Sequence, residues 1–226
     1  MPLAAGVVAC LALGARHAAA QNENVVGASG VWLSGGMLLG GALFDGNAAR
    51  TWANVGDPGP SVGGAFAAGY DARRVGAALD LEAASMRLGD RRGSSFALAA
   101  TLRWRLPQPP ATRWDSRIEV GYVRLGFGGI RVDAAEVPSD LFRGGSTVSG
   151  RISNAMTLLG NGIRLGVSME HALKPGTNLV LGLGADAVYF DTATYQATDL
   201  SLARPGWGVM PRLLLGVRTF PRALRR

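Results

Sequence analysis

Along Phe96–Leu106, FALAATLRWRL, the side chains alternate strictly. Phe96, Leu98, Ala100, Leu102, Trp104 and Leu106 fall on one side, and Ala97, Ala99, Thr101, Arg103 and Arg105 on the other. A β-strand sends successive side chains to opposite faces, so this pattern predicts a strand between an apolar and a polar environment. The same period recurs along the chain. Leu79 and Leu81 oppose Asp80 and Glu82; Trp114, Ile118, Val120 and Tyr122 oppose Asp115, Arg117 and Glu119; Ile163, Leu165, Val167 and Met169 oppose Arg164, Gly166, Ser168 and Glu170; Leu181, Leu183 and Tyr189 oppose Gly182, Gly184 and Asp186. Strands are predicted over 29–44, 62–71, 75–87, 94–106, 114–126, 157–172, 178–190 and 207–220. The first is long and Gly-rich, and leaves room for a bulge or a helical stretch.

Two architectures share such alternation. A soluble sandwich or barrel turns its apolar face inward; a membrane barrel turns it out to lipid and fills the lumen with polar groups. The connections favour the second. DARR (71–74), PQPPATR (107–113) and KPGT (174–177) are short, whereas 45–61, 127–156 and 191–206 are long, although GDRRGS (89–94) is also short. Turns at one end and long loops at the other is the asymmetry of an outer-membrane barrel. Tyr70, Trp104 and Trp114 fall in the lipid-facing register at the turn end, as an interfacial aromatic belt requires, and Tyr122, Tyr189 and Trp207 lie nearer the other end as a second belt. After residue 20 no stretch reaches the ~18 apolar residues of a transmembrane helix.

Composition narrows the classes. The 226 residues include 33 Gly, spread through the apolar segments, and 23 Lys plus Arg against 16 Asp plus Glu, a net charge of +7. The basic residues are scattered and Lys174 is the sole lysine, which argues against a nucleic-acid partner. Residues 1–20 carry an apolar run, Leu3–Leu13, and an A-x-A site at Ala18–Ala20, which predicts a cleaved secretory signal peptide. Cleavage there removes Cys10 and leaves an exported chain, 21–226, with no cysteine.

The signal peptide, eight amphipathic strands, alternation of turns with longer loops and the last strand PRLLLGVRTF resemble the small OmpA/OmpX-type outer-membrane β-barrels of Gram-negative bacteria. That resemblance implies an all-β fold: a single antiparallel up-and-down transmembrane β-barrel of eight strands, monomeric, with outer-membrane lipid and the barrel-assembly machinery as partners. Phe220 departs from the pattern, being out of phase with Leu213, Leu215 and Val217, and Pro211 inside the strand offers a source of irregularity.

The lumen assignment gathers Asp80, Glu82, Arg103, Arg105, Asp115, Arg117, Glu119, Arg164, Glu170, Asp186 and Arg212, and extends to Arg218. Eight strands enclose a tube that side chains fill, so these charges are expected to pair across neighbouring strands, Asp80 and Glu82 with Arg103 and Arg105. A narrow ion pore lined by the same groups is the alternative, and a secreted soluble β-barrel binding a small apolar ligand is a second. Catalysis is not expected: His171 is the one histidine after residue 20, and Ser168, three positions away, falls on the opposite strand face. No cofactor or metal is expected either, since Asp133, Glu136 and Asp140 are too dispersed for a calcium loop. The 127–156 loop is the natural place for an extracellular partner.

Overall fold

The computed structural model describes residues 29–45, 58–89, 91–107, 114–132, 141–143, 154–195 and 198–221. The leader over 1–20 and the acids Asp133, Glu136 and Asp140 lie outside them. The strands are β1 (Gly30–Gly40), β2 (Leu43–Phe44), β3 (Pro58–Asp71), β4 (Val75–Leu88), β5 (Arg91–Arg105), β6 (Trp114–Val132), β7 (Asn154–Lys174), β8 (Thr177–Tyr195) and β9 (Thr198–Thr219). All pairings are antiparallel, and β9 pairs with β1 to close a ring of eight; β2 continues the line of β1 along β9. The break at Gly41–Ala42 faces Pro211, whose missing N–H interrupts the ladder, although its carbonyl accepts from Gly41 N at 3.2 Å.

Register fixes the size of the tube. Following paired residues round the ring from Leu33 through Ala68, Leu79, Ala100, Tyr122, Ile163, Ala187 and Val209 returns to Leu43, ten residues further along. A stagger of that size round eight strands tilts them by about 40° and sets the backbone about 8 Å from the axis. The interior then has room for side chains and little else.

The predicted faces are the observed ones. Leu98 is 47% exposed on the outside and Ala99 is 0% exposed on the inside. Exposed outward side chains such as Leu79, Leu81, Phe96, Leu102, Ile163, Leu165, Leu183 and Leu215 wrap the barrel in an apolar band. It runs from Leu173 to Ile163 on β7, about 25 Å along the axis at this tilt, the height expected for a membrane barrel.

All three of the predicted long connections are shorter in the structure, 45–61 giving way to β3 at Pro58. The segment 191–206 is an extended hairpin, paired as far as Tyr195 with Thr198, and 127–156 is strand at both ends, as β6 and β7. The physical reason is an inversion of pattern. Beyond the band the outside is water and the inside apolar, so Asp191, Thr194 and Asp199 read as loop residues although they sit on the outer face of strands. These upper parts of β6 to β9 rise past the β4–β5 hairpin. Their two edges are blunted. On β6 a bulge at Gly128 and Gly129 (φ +115° and +57°), a conformation that favours glycine, kinks the strand, and Arg91 Nη1 donates to Arg131 O at 3.0 Å. On β9, residues 141–143 lie alongside: Phe142 bridges Leu202, Arg143 N donates to Ser201 O at 3.0 Å, and Ala203 N donates to Leu141 O at 2.8 Å.

Candidate functional site: the lumen

The inward positions form three levels. Lowest, at the turn end, are Arg103, Arg105, Arg117 and Arg218 with Asp71, Asp115, Glu119 and Glu170. Register sets Arg103 opposite Glu119, and its Nε donates to Glu119 Oε1 at 2.9 Å. Ser168 joins them, donating to Glu119 at 2.8 Å and accepting from Arg103 Nη2 at 3.2 Å. Arg105 bonds Asp115 at 2.9 Å. Arg117 contacts Asp71, Asp115 at 2.9 Å and Glu170 at 3.3 Å. Arg218 pairs with Glu170, whose other oxygen accepts from Asn178 at 3.0 Å. Trp32, 1% exposed, lies flat against this layer, its ring centroid 4.0 Å from the Arg218 guanidinium carbon and 4.9 Å from that of Arg103. A Cβ at Gly69 would meet the Trp32 ring at 2.4 Å, so glycine is required there.

The middle level belongs to Arg164. Its guanidinium forks onto Glu82 at 2.8 and 3.0 Å and onto Asp186 at 2.7 Å twice, tying β4 to β7 and β8 across the tube. Arg212 bonds Glu82 at 2.9 Å, and Asp80 accepts from Thr101 at 3.1 Å with Arg164 3.7 Å away. Two small cavities, of about 30 and 40 Å³, flank this level and share Glu82 and Arg212 in their walls. Each holds a few waters at most.

The top level has no charges among its described residues. Met86, Leu88, Leu125, Phe127, Ile130, Leu158, Phe190, Tyr195 and Met210 pack into one cluster, with Leu141, Phe142 and Leu202 over them. Phe44 meets Phe127 and Phe190 edge-on, with ring centroids 5.0 and 5.9 Å apart.

All eleven sequence-assigned charges point inward, but not with the neighbours assigned to them. Asp80 and Glu82 lie opposite Ala99 and Ala97, too far up β4 to meet Arg103 and Arg105, and they take Arg164 and Arg212 instead. Asp71 was hidden inside the apparent turn DARR. The expectation of a polar lumen throughout is corrected: its upper part is apolar. On the outside, Tyr70, Trp104 and Trp114 stand at the turn end, while Tyr189 and Trp207 face each other at 5.2 Å near the other end. Tyr122 stands lower on the band, paired with Ala100 and Ile163, and donates to Asn161. Phe220 turns inward against Trp32, Ala67 and Ala78, so the phase seen in the sequence is real and Pro211 does not shift it. Ser168 is inside the barrel, and His171 is outside against Trp114, 4.6 Å between rings.

No protein-family model and no curated protein sequence matches this chain. Solved structures do. The outer membrane protein OprG from Pseudomonas aeruginosa superposes with a TM-score of 0.52 at 8% identity, over 84% of this chain and 95% of that one. Neisserial surface protein A gives 0.49 at 14% identity over 84% and 97%, and a major outer membrane protein from Thermus thermophilus gives 0.48 at 15% over 84% and 98%. At 8% identity the likeness to OprG is one of architecture. With the ring of eight strands, the apolar band and the charged interior, it establishes the fold as that of a small outer-membrane β-barrel.

Proposed function

We propose that the chain is a monomeric barrel of the Gram-negative outer membrane with a structural or surface-interaction role, non-catalytic and closed to solutes. One observation carries this reading: among the described residues the interior is filled twice over, by paired charges below and by an apolar plug above, and the two cavities beside Glu82 and Arg212 are water-sized. The apolar band supports lipid as its surroundings. Ser168 and His171 on opposite faces supply no nucleophile and base in reach of each other. Recognition of an extracellular partner then falls to the connection between β6 and β7, on the scaffold of the raised hairpins.

Heat-modifiable gel migration and membrane fractionation test the location. A chain recovered soluble would favour the soluble apolar-ligand barrel, as would single cysteines that water-soluble reagents label at position 99 and not at position 98. The narrow-pore reading draws on the two cavities that share Glu82 and Arg212. In planar bilayers the purified protein is expected to be silent across voltages. Stable single-channel steps that change in Arg212→Gln or Glu82→Gln would establish the pore instead.

A further inference from the structure

The charge of the chain and the charge of its lumen differ in sign. Among the described residues the lumen network holds six arginines and seven carboxylates, close to balance at −1. The remaining described residues carry more cations than carboxylates. Arg87 on β4 and Arg92 on β5 are directly opposite each other in the register, and both are exposed on the outer face, because Met86, Leu88 and Gly93 beside them turn inward. Like charges at facing positions of a sheet repel. Among the described residues neither guanidinium has an ion-pair partner. The pair stands one pleat above Ser85 and Ser94, which end the outward apolar run of Leu81, Ala83, Phe96 and Leu98. Arg124, exposed on the outer face of the adjoining β6, is paired with Leu98 below them, and a side chain of its length can reach along an apolar surface toward polar surroundings.

We propose that Arg87 and Arg92 bind the phosphate of a lipid headgroup in the outer leaflet, with Arg124 as a supporting cation. The height of the pair matches that source, being the first charged level above the band on β4 and β5. Two planar forks whose Cβ atoms are about 5 Å apart can grip the oxygens of one phosphate from both sides. The anion turns a repulsive cross-strand pair into an attractive triad. This inference rests on the membrane reading above.

The test uses the full chain folded in neutral detergent and exposed in turn to phosphatidic acid, phosphatidylcholine and inorganic phosphate, with retention read by native mass spectrometry. Phosphatidic acid is expected to stay bound, phosphatidylcholine to be lost, and millimolar inorganic phosphate to leave the lipid in place. R87Q/R92Q should weaken lipid retention by about tenfold or more, the loss of charge-assisted bonds, while Arg73→Gln at the turn end should not change it. Arg87→Glu should abolish retention and also raise the unfolding midpoint in phosphatidylcholine bilayers, since it replaces repulsion by a cross-strand ion pair. Equal retention of both lipids, undiminished retention in R87Q/R92Q, or displacement by inorganic phosphate would overturn the site. A chain with no heat-modifiable folded form in detergent would instead defeat the membrane reading, so the two failures are distinct.

Discussion

The lower and upper halves of the lumen close the same tube by different physics. Below, Arg103, Arg117, Arg164 and Arg218 each reach carboxylates on two or more strands, so the closure is directional and fails when one partner is removed. Above, Phe127, Leu158, Phe190 and their neighbours close it by shape and exclusion of water. The lower half therefore specifies which strands face each other, and the upper half seals without specifying. Desolvation makes a buried charge costly unless it is paired, which is why the charged half needs near balance while the apolar half tolerates volume-conserving change.

The sharpest way to break the contrast is at Arg164, because it holds Glu82 and Asp186 together. Arg164→Met is expected to cost about 3–5 kcal/mol, since it leaves buried Asp186 without its cation and Glu82 with Arg212 alone; urea unfolding in lipid bilayers measures it. Replacing the whole group by apolar residues of similar volume, R164M/E82L/D186L/R212M, so that Arg212 is not left without Glu82, should recover most of that loss. A cost below about 1 kcal/mol for the single change would mean that the middle level is hydrated and screened. In the upper half, Phe190→Ala is expected to cost about 3 kcal/mol through the cavity it leaves, with a midpoint that does not respond to salt. Arg105, 24% exposed at the turn end, is a weaker pair with Asp115. Arg105→Ala should cost about 1 kcal/mol and less in concentrated salt. Smallest of all, Phe142→Ala should move the global midpoint by less than about 0.5 kcal/mol while raising protease cleavage near 141–143, because a segment held along the edge of β9 is expected to open before the barrel unfolds.

How far the sequence could be read follows the same division. Between Trp114 and Tyr122, or between Ile163 and Met169, outside and inside differ as lipid differs from a charged lumen, and period two shows at once. Above Arg124 the inner face is apolar and the outer face polar, so the alternation continues with its sense reversed and looks like the end of a strand. Partners across the lumen were not legible either. Arg164 reaches Glu82 because β4 and β7 face each other round a ring whose stagger is ten residues, a quantity fixed by the hairpins together and by no single one of them. Asp71 escaped notice because Ala72, Arg73 and Arg74 after it read as one turn with it, although its side chain belongs to the last inward position of β3.

The seam between β1 and β9 has a consequence for assembly. It joins Leu33 to Thr219 and Gly40 to Arg212, nearly the whole chain apart in sequence, whereas the other pairings of the ring join strands that follow one another, β2 aside. Hairpins close small loops and form early; a contact of this separation must first overcome the entropy of holding both ends of the chain together. Closure of the seam is therefore expected late in folding, and its ladder is continuous from Leu33 to Gly40 and interrupted at Pro211. Substituting that proline by a residue with a backbone donor would let the ladder run through to Phe44, and the change would register in the rate of barrel closure more than in the stability of the closed barrel.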